Sequence, residues 1–281
     1  MAQTVKQEAG IAPNPEKPKL RRSLGLFELT MYGVGIILGA GIYAIIGVGA
    51  GVAGNALWLS FLIGAIIASF TGLSYAELGT MFPKEAAEYV YMKRAFKKEY
   101  PAFLVGWLII IVGTIAASVV ALGFGGYLEA LTGIPALWGA LALVLGCSFL
   151  NYRGIRESAN ANIIFTVIEM LGLILIILFG MSHVGSVDYF EMPGGLNGVM
   201  MAAVLVFFAY VGFEDVVNLS EETKSPRKVM PKALILSVVI TTIMYILVSL
   251  VAVSVIPWNV LAESSAPIAD VAEASLPGTG W

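Results

Sequence analysis

Apolar residues dominate seven stretches of this chain, at roughly 26–53, 56–80, 102–128, 135–151, 160–182, 196–219 and 232–256, each near the ~20 residues a helix needs to cross a bilayer. Charged residues collect mainly in the connections between them. This pattern predicts an all-α polytopic membrane protein with about seven transmembrane helices. Two stretches are interrupted at their middles. The first carries glycine at four of the eleven positions 33–43, namely Gly33, Gly35, Gly39 and Gly41. Each glycine weakens a helix interior by about 1 kcal/mol relative to alanine, which invites unwinding. The sixth runs Phe207-Phe208-Ala209-Tyr210-Val211-Gly212-Phe213 into Glu214-Asp215. An acidic residue at a membrane-helix centre costs about 2.5–3.5 kcal/mol on insertion scales. Spans 1 and 6 are therefore expected to be discontinuous.

The expected breaks have definite chemistry. If span 1 breaks near Leu38, a second half-helix starts around Ala40. The unpaired N–H groups of Ala40, Gly41 and Ile42, at a positive dipole end, then suit a carboxylate. Glycine at Gly39 and Gly41 also lets a ligand approach the backbone. If span 6 breaks at Val211-Gly212, the carbonyls of Phe208, Ala209 and Val211 are left unpaired and suit an ammonium group. Donors on one side and acceptors on the other match a zwitterionic α-amino acid. Ile37, Gly39, Ala40, Gly41 and Ile42 from span 1, with Phe208, Ala209, Val211 and Gly212 from span 6, form the expected substrate site. The spacings Gly35-xxx-Gly39, Ala40-xxx-Ala44 and Gly47-xxx-Gly51 serve close helix packing equally well.

Composition agrees with the spans. Of 281 residues, 58% are hydrophobic and 12% charged, about half the charged fraction of a water-soluble domain. All sixteen Lys and Arg lie in the first tail and in the connections after spans 2, 4 and 6, while the alternate connections hold none. The positive-inside rule then places the N-terminus in the cytoplasm and residue 281 outside. The segment from Pro83 to Tyr100 spaces Tyr89, Val90, Met92 and Phe96 helically among charges, as an interfacial amphipathic helix would. Residues 1–22 read as a polar, Pro-rich, disordered tail. The single Cys147 excludes an internal disulfide and reads as a small buried packing residue. The net charge of −3 carries no basic patch for nucleic acid.

Ionisable residues inside spans are functional candidates. Glu169 shares one face of span 5 with Asn162, Thr166 and Gly172, and that face must meet protein or water. Glu169 is either a proton-coupling group or a protonated acid bonded to a neighbouring helix. Glu214, with Tyr210 beside it, reads either as part of a gate or proton path or as a charge anchoring helix ends. Glu28 and Glu77 read as solvated or capping, and Thr114 with Ser118 as a small polar stripe on span 3. No HExxH, paired Cys and His, phosphate loop or GxSxG occurs, so no enzyme, metal or cofactor chemistry is indicated.

The broken segments, with Leu24-Gly25-Leu26, Tyr75-Ala76-Glu77-Leu78, Asn151-Tyr152-Arg153-Gly154 and Glu221-Glu222-Thr223-Lys224-Ser225-Pro226, resemble the amino acid–polyamine–organocation superfamily. Within it the chain is similar to bacterial and archaeal permeases related to cationic amino acid transporters. The resemblance implies a leucine-transporter-like fold of inverted five-helix repeats working by alternating access. Residues 23–185 would form the first repeat and 186–281 part of the second, leaving the remaining helices of a longer permease unaccounted for. It also implies that Ala40 and Gly41 hold the carboxylate, that carbonyls near Phe208 and Val211 hold the amine, and that Phe208 closes over the substrate. Glu169 stands where several relatives place a lysine, which motivates proton coupling; Val112-Gly113 argue against a cationic substrate. The expected activity is amino acid permeation across the plasma membrane, with protons as possible co-substrates. The rival reading is a half-length membrane subunit that binds a partner protein.

Overall fold

The computed structural model describes residues 24–82, 87–153 and 155–276, without the side chains of 155–163 and Glu221. The expected tail at 1–22 and the final segment 277–281 lie outside the described residues. Among those described, the chain is helical throughout: α1 (Leu26–Leu38), α2 (Gly41–Ala53), α3 (Leu57–Met81), α4 (Ala87–Phe96), α5 (Glu99–Thr132), α6 (Ala136–Arg153), α7 (Ile155–Gly180), α8 (Gly195–Val206), α9 (Asp215–Asn218), α10 (Pro226–Val255), α11 (Trp258–Glu263) and α12 (Pro267–Ser275). Among the described residues, six stretches are long and apolar enough to cross a membrane. The first, Gly41–Met81, joins α2 to α3, and α1 is a shorter apolar helix. With α1 and α2 taken as one broken crossing, the arrangement is that of the seven-span pattern.

Span 1 breaks where its glycines predict. α1 stops at Leu38, Gly39 leaves the helical region, and Ala40 becomes the N-cap of α2. Span 6 unwinds earlier and over a longer segment than expected. α8 ends at Val206, Phe207–Tyr210 continues as a tighter 3₁₀ turn, and helix resumes only at Asp215. Gly212 sits inside this break at φ +121°, a conformation closed to residues with a Cβ.

Both breaks lie in the packed centre of the molecule. α1, α2, α3, α8 and α10 bury Ile37, Leu38, Ile42, Phe61, Tyr210 and Tyr245 completely. Along α5 only Ala102, Ala121 and Gly125 are buried; Ala116, Val120, Gly123 and Tyr127 are half-buried on the inner side, and most of the other apolar residues are exposed. Such a surface suits hydrocarbon, because an α-helix satisfies its own backbone groups. Cys147 belongs to this class: it is exposed on α6, not buried as its apolar surroundings suggested. The sequence context is equally apolar on both faces of that helix, so it does not tell core from lipid.

Two features close the ends. Leu24 forms a parallel bridge with Thr223, its amide donating to Glu222 O (3.1 Å) and its carbonyl accepting from Lys224 N (2.8 Å). Glu28 caps the same end, taking the Gly25 amide at 2.9 Å. At the other end the polar segment after Pro257 folds into α11 and α12, both started by proline, as the first turn of a helix tolerates. These helices pack on α2 through Leu261 and Pro267 against Gly47, and Ile268 N donates to Tyr127 Oη (3.2 Å). The segment expected to be amphipathic forms α4, with Ala87 and Tyr91 buried and its Lys and Arg side chains exposed.

Candidate functional site

The two breaks face each other. A Cβ on Gly41 would lie 2.8 Å from Ala209 Cα, so only glycine lets the α2 N-terminus approach the unwound part of span 6 this closely. Gly212 packs in the same way against Ile36. Between them lies a cavity of about 110 Å³ lined by Ile36, Ile37, Gly39, Ala40 and Gly41, by Phe208, Ala209 and Val211, and by Ala116 and Val120 of α5. Seven of the nine residues expected from sequence therefore line one cavity. The other two do not: Ile42 is fully buried in the core, and Gly212 sits behind Val211 against Ile36.

The donors are as expected. The first intrahelical bond of α2 runs from Ala44 N to Ala40 O (3.1 Å), so the amides of Ala40, Gly41 and Ile42 have no partner among the described residues. The acceptors need correction. Of the three carbonyls expected to be free, only that of Val211 has no partner among the described residues. Phe208 O accepts Val211 N (3.2 Å), because the segment tightens into a 3₁₀ turn, and Ala209 O accepts the Tyr245 hydroxyl (2.8 Å). A carbonyl has two lone pairs, so Phe208 and Ala209 each keep one.

Tyr245 of α10 was not anticipated. Its hydroxyl lies between Ile37 O of α1 and Ala209 O of span 6, tying the two broken helices through one proton. Phe61 and Tyr210 hold its ring, each centroid 5.3 Å away. The signal was present as Ser237, Thr241, Tyr245 and Ser249, a strict four-residue repeat of buried polar side chains through an otherwise apolar span. Ala116 and Val120 left no signal, since nothing separates them from their lipid-facing neighbours.

The remaining candidates divide. The polar face of α7 turns towards span 1: Thr166 packs against Gly35, and Gly172 approaches Tyr43. Asn162 lies among the residues whose side chains are not described. Glu169 lines a second cavity of about 360 Å³ with Ala40, Tyr43, Tyr127 and Phe165, and its Oε1 is buried with no hydrogen-bond partner among the described residues. Ala40 belongs to both cavities, so Glu169 neighbours the α2 N-terminus. Glu214 takes the Gly212 amide at 2.8 Å and so braces the break. Tyr210 is buried with its hydroxyl on Phe61 O (3.0 Å), pinning span 6 to α3 outside the cavity. Thr114 and Ser118 bond back to their own helix.

The model of the family described as "Amino acid permease" matches residues 24–280. The chain belongs to the amino acid permease family. Among characterised relatives, this permease chain is 35% identical to the branched-chain amino acid permease BcaP of Bacillus subtilis, over 96% of the chain and 62% of the relative. It is 33% identical to the methylthioribose transporter of the same organism, over 88% of the chain and 58% of the relative. It is 32% identical to human cationic amino acid transporter 4, over 88% of the chain and 43% of the relative. The chain thus spans about 60% of the length of the first two.

Proposed function

We propose that this chain forms the substrate-binding portion of a secondary active permease for amino acids, with the α-amino acid group held between the broken middles of spans 1 and 6. The observation that carries this reading is the 110 Å³ cavity, with free amides of α2 on one wall and the carbonyls of Phe208, Ala209 and Val211 on the other. A carboxylate takes the amides of Ala40 and Gly41, which line the cavity at a helix N-terminus. An ammonium takes Val211 O and the spare lone pairs of Phe208 and Ala209. Phe208 closes the cavity beside Ala116 and Val120.

The substrate class is an apolar amino acid. Every side chain lining the cavity is apolar, so a cationic side chain there would lose its hydration without gaining a partner. The branched-chain permease among the relatives supports the same choice. Protons are the coupling ion, through Glu169, whose Oε1 has no partner among the described residues and which lines the second cavity, joined to the first at Ala40. The charge distribution supports a multi-pass plasma-membrane protein with its basic connections inside. Uptake by the protein in proteoliposomes, across a panel of amino acids with and without an inward proton gradient, tests this. Leucine, isoleucine or valine should accumulate with the gradient while arginine and lysine do not. Accumulation of a basic amino acid alone, or none that responds to the gradient, would overturn it.

A further inference from the structure

The junction of α4 and α5 holds a groove that the transport reading leaves unused. Tyr89, Lys93, Arg94, Lys97, Lys98 and Glu99 line a cavity of about 550 Å³. Its one acid is already engaged: Glu99 pairs with Lys93 Nζ at 2.7 Å and accepts the Tyr89 hydroxyl at 2.9 Å. Arg94 lies over the Phe82 ring, 5.8 Å from its centroid. Arg94, Lys97 and Lys98 therefore bring three positive charges that form no ion pair with an acid among the described residues.

Depth identifies the partner. At about 1.5 Å per residue, the 34 residues of α5 measure about 50 Å, against about 30 Å of bilayer hydrocarbon. α5 is thus longer than the hydrocarbon is thick, and the charges of Lys97, Lys98 and Glu99 at its start favour that end at headgroup level. Phe96, Tyr100 and Phe103 are 58%, 75% and 64% exposed around the groove, as aromatic side chains are at a membrane interface. A basic groove at headgroup depth, flanked by aromatic anchors, attracts anionic lipid.

We propose that this groove binds the phosphate of an anionic phospholipid headgroup, with Lys97, Lys98 and Arg94 as its ligands. Glu99 limits the affinity by occupying Lys93.

Native mass spectrometry of the purified protein titrated with phosphatidylglycerol or phosphatidylcholine reads this directly. The first phosphatidylglycerol should bind more tightly than phosphatidylcholine, and inorganic phosphate should not displace it. Replacing two cations, Lys97→Gln with Lys98→Gln, should weaken it about 30-fold, from roughly a fivefold contribution per basic residue near a membrane surface. Glu99→Gln should tighten it severalfold by freeing Lys93. Lys228→Gln with Lys232→Gln removes the same charge from exposed positions of α10 and should leave it unchanged. Equal binding of the two lipids, displacement by free phosphate, or equal losses in the two double variants would overturn the proposal. All the substituted side chains are exposed, and an unaltered unfolding temperature checks that each variant is folded.

Discussion

Gly41 and Tyr245 are the two residues on which the meeting of the broken helices depends. Gly41→Ala places a carbon 2.8 Å from a backbone atom of Ala209, and backbone yields less readily than a side-chain tip. Overpacking of this kind costs about 1–3 kcal/mol. A lower thermal midpoint and at least tenfold weaker substrate binding are expected; a variant with wild-type midpoint and affinity would show that the breaks do not touch in solution. Tyr245→Phe keeps the ring between Phe61 and Tyr210 but removes the donor from Ile37 O and Ala209 O. Leaving buried carbonyls without that donor costs about 1–3 kcal/mol. Loss of stability should therefore accompany weaker binding, both read by thermal unfolding with and without substrate. A stable Tyr245→Phe protein that substrate stabilises as it does the wild type would remove Tyr245 from the site.

At the scale of elements, the break in span 1 was legible almost to the residue, because clustered glycines act locally. The break in span 6 was legible in place but not in extent. Its boundaries follow from the 3₁₀ turn at Phe207–Tyr210 and the Glu214 brace on Gly212, neither of which a composition pattern encodes. α11 and α12 lie in a polar, acidic segment to which the span pattern assigns no element, although Pro257 and Pro267 stand at both helix starts. The polar face of α7, expected to meet protein or water, turns Thr166 and Glu169 towards span 1. That placement makes a prediction about the helix. If Glu169 takes up and releases the coupled proton, Glu169→Gln should flatten the dependence of uptake on external pH while sparing substrate exchange. An unchanged pH profile would exclude Glu169 from coupling.

For the whole molecule, fold class and family were both legible, because lipid demands long apolar helices and the superfamily's two interrupted spans are distinctive. Which side of each peripheral helix is packed and which is exposed was not, as Cys147 illustrates. The proposed site binds one small zwitterion mainly through peptide groups. Calorimetric titration of the protein with leucine, with 4-methylpentanoate, which lacks the amine, and with isopentylamine, which lacks the carboxylate, tests it most directly. Each half-ligand forfeits charge-assisted hydrogen bonds worth about 1.5–3 kcal/mol apiece, so both should bind at least a hundredfold more weakly than leucine. Isopentylamine or 4-methylpentanoate binding as tightly as leucine would contradict the account.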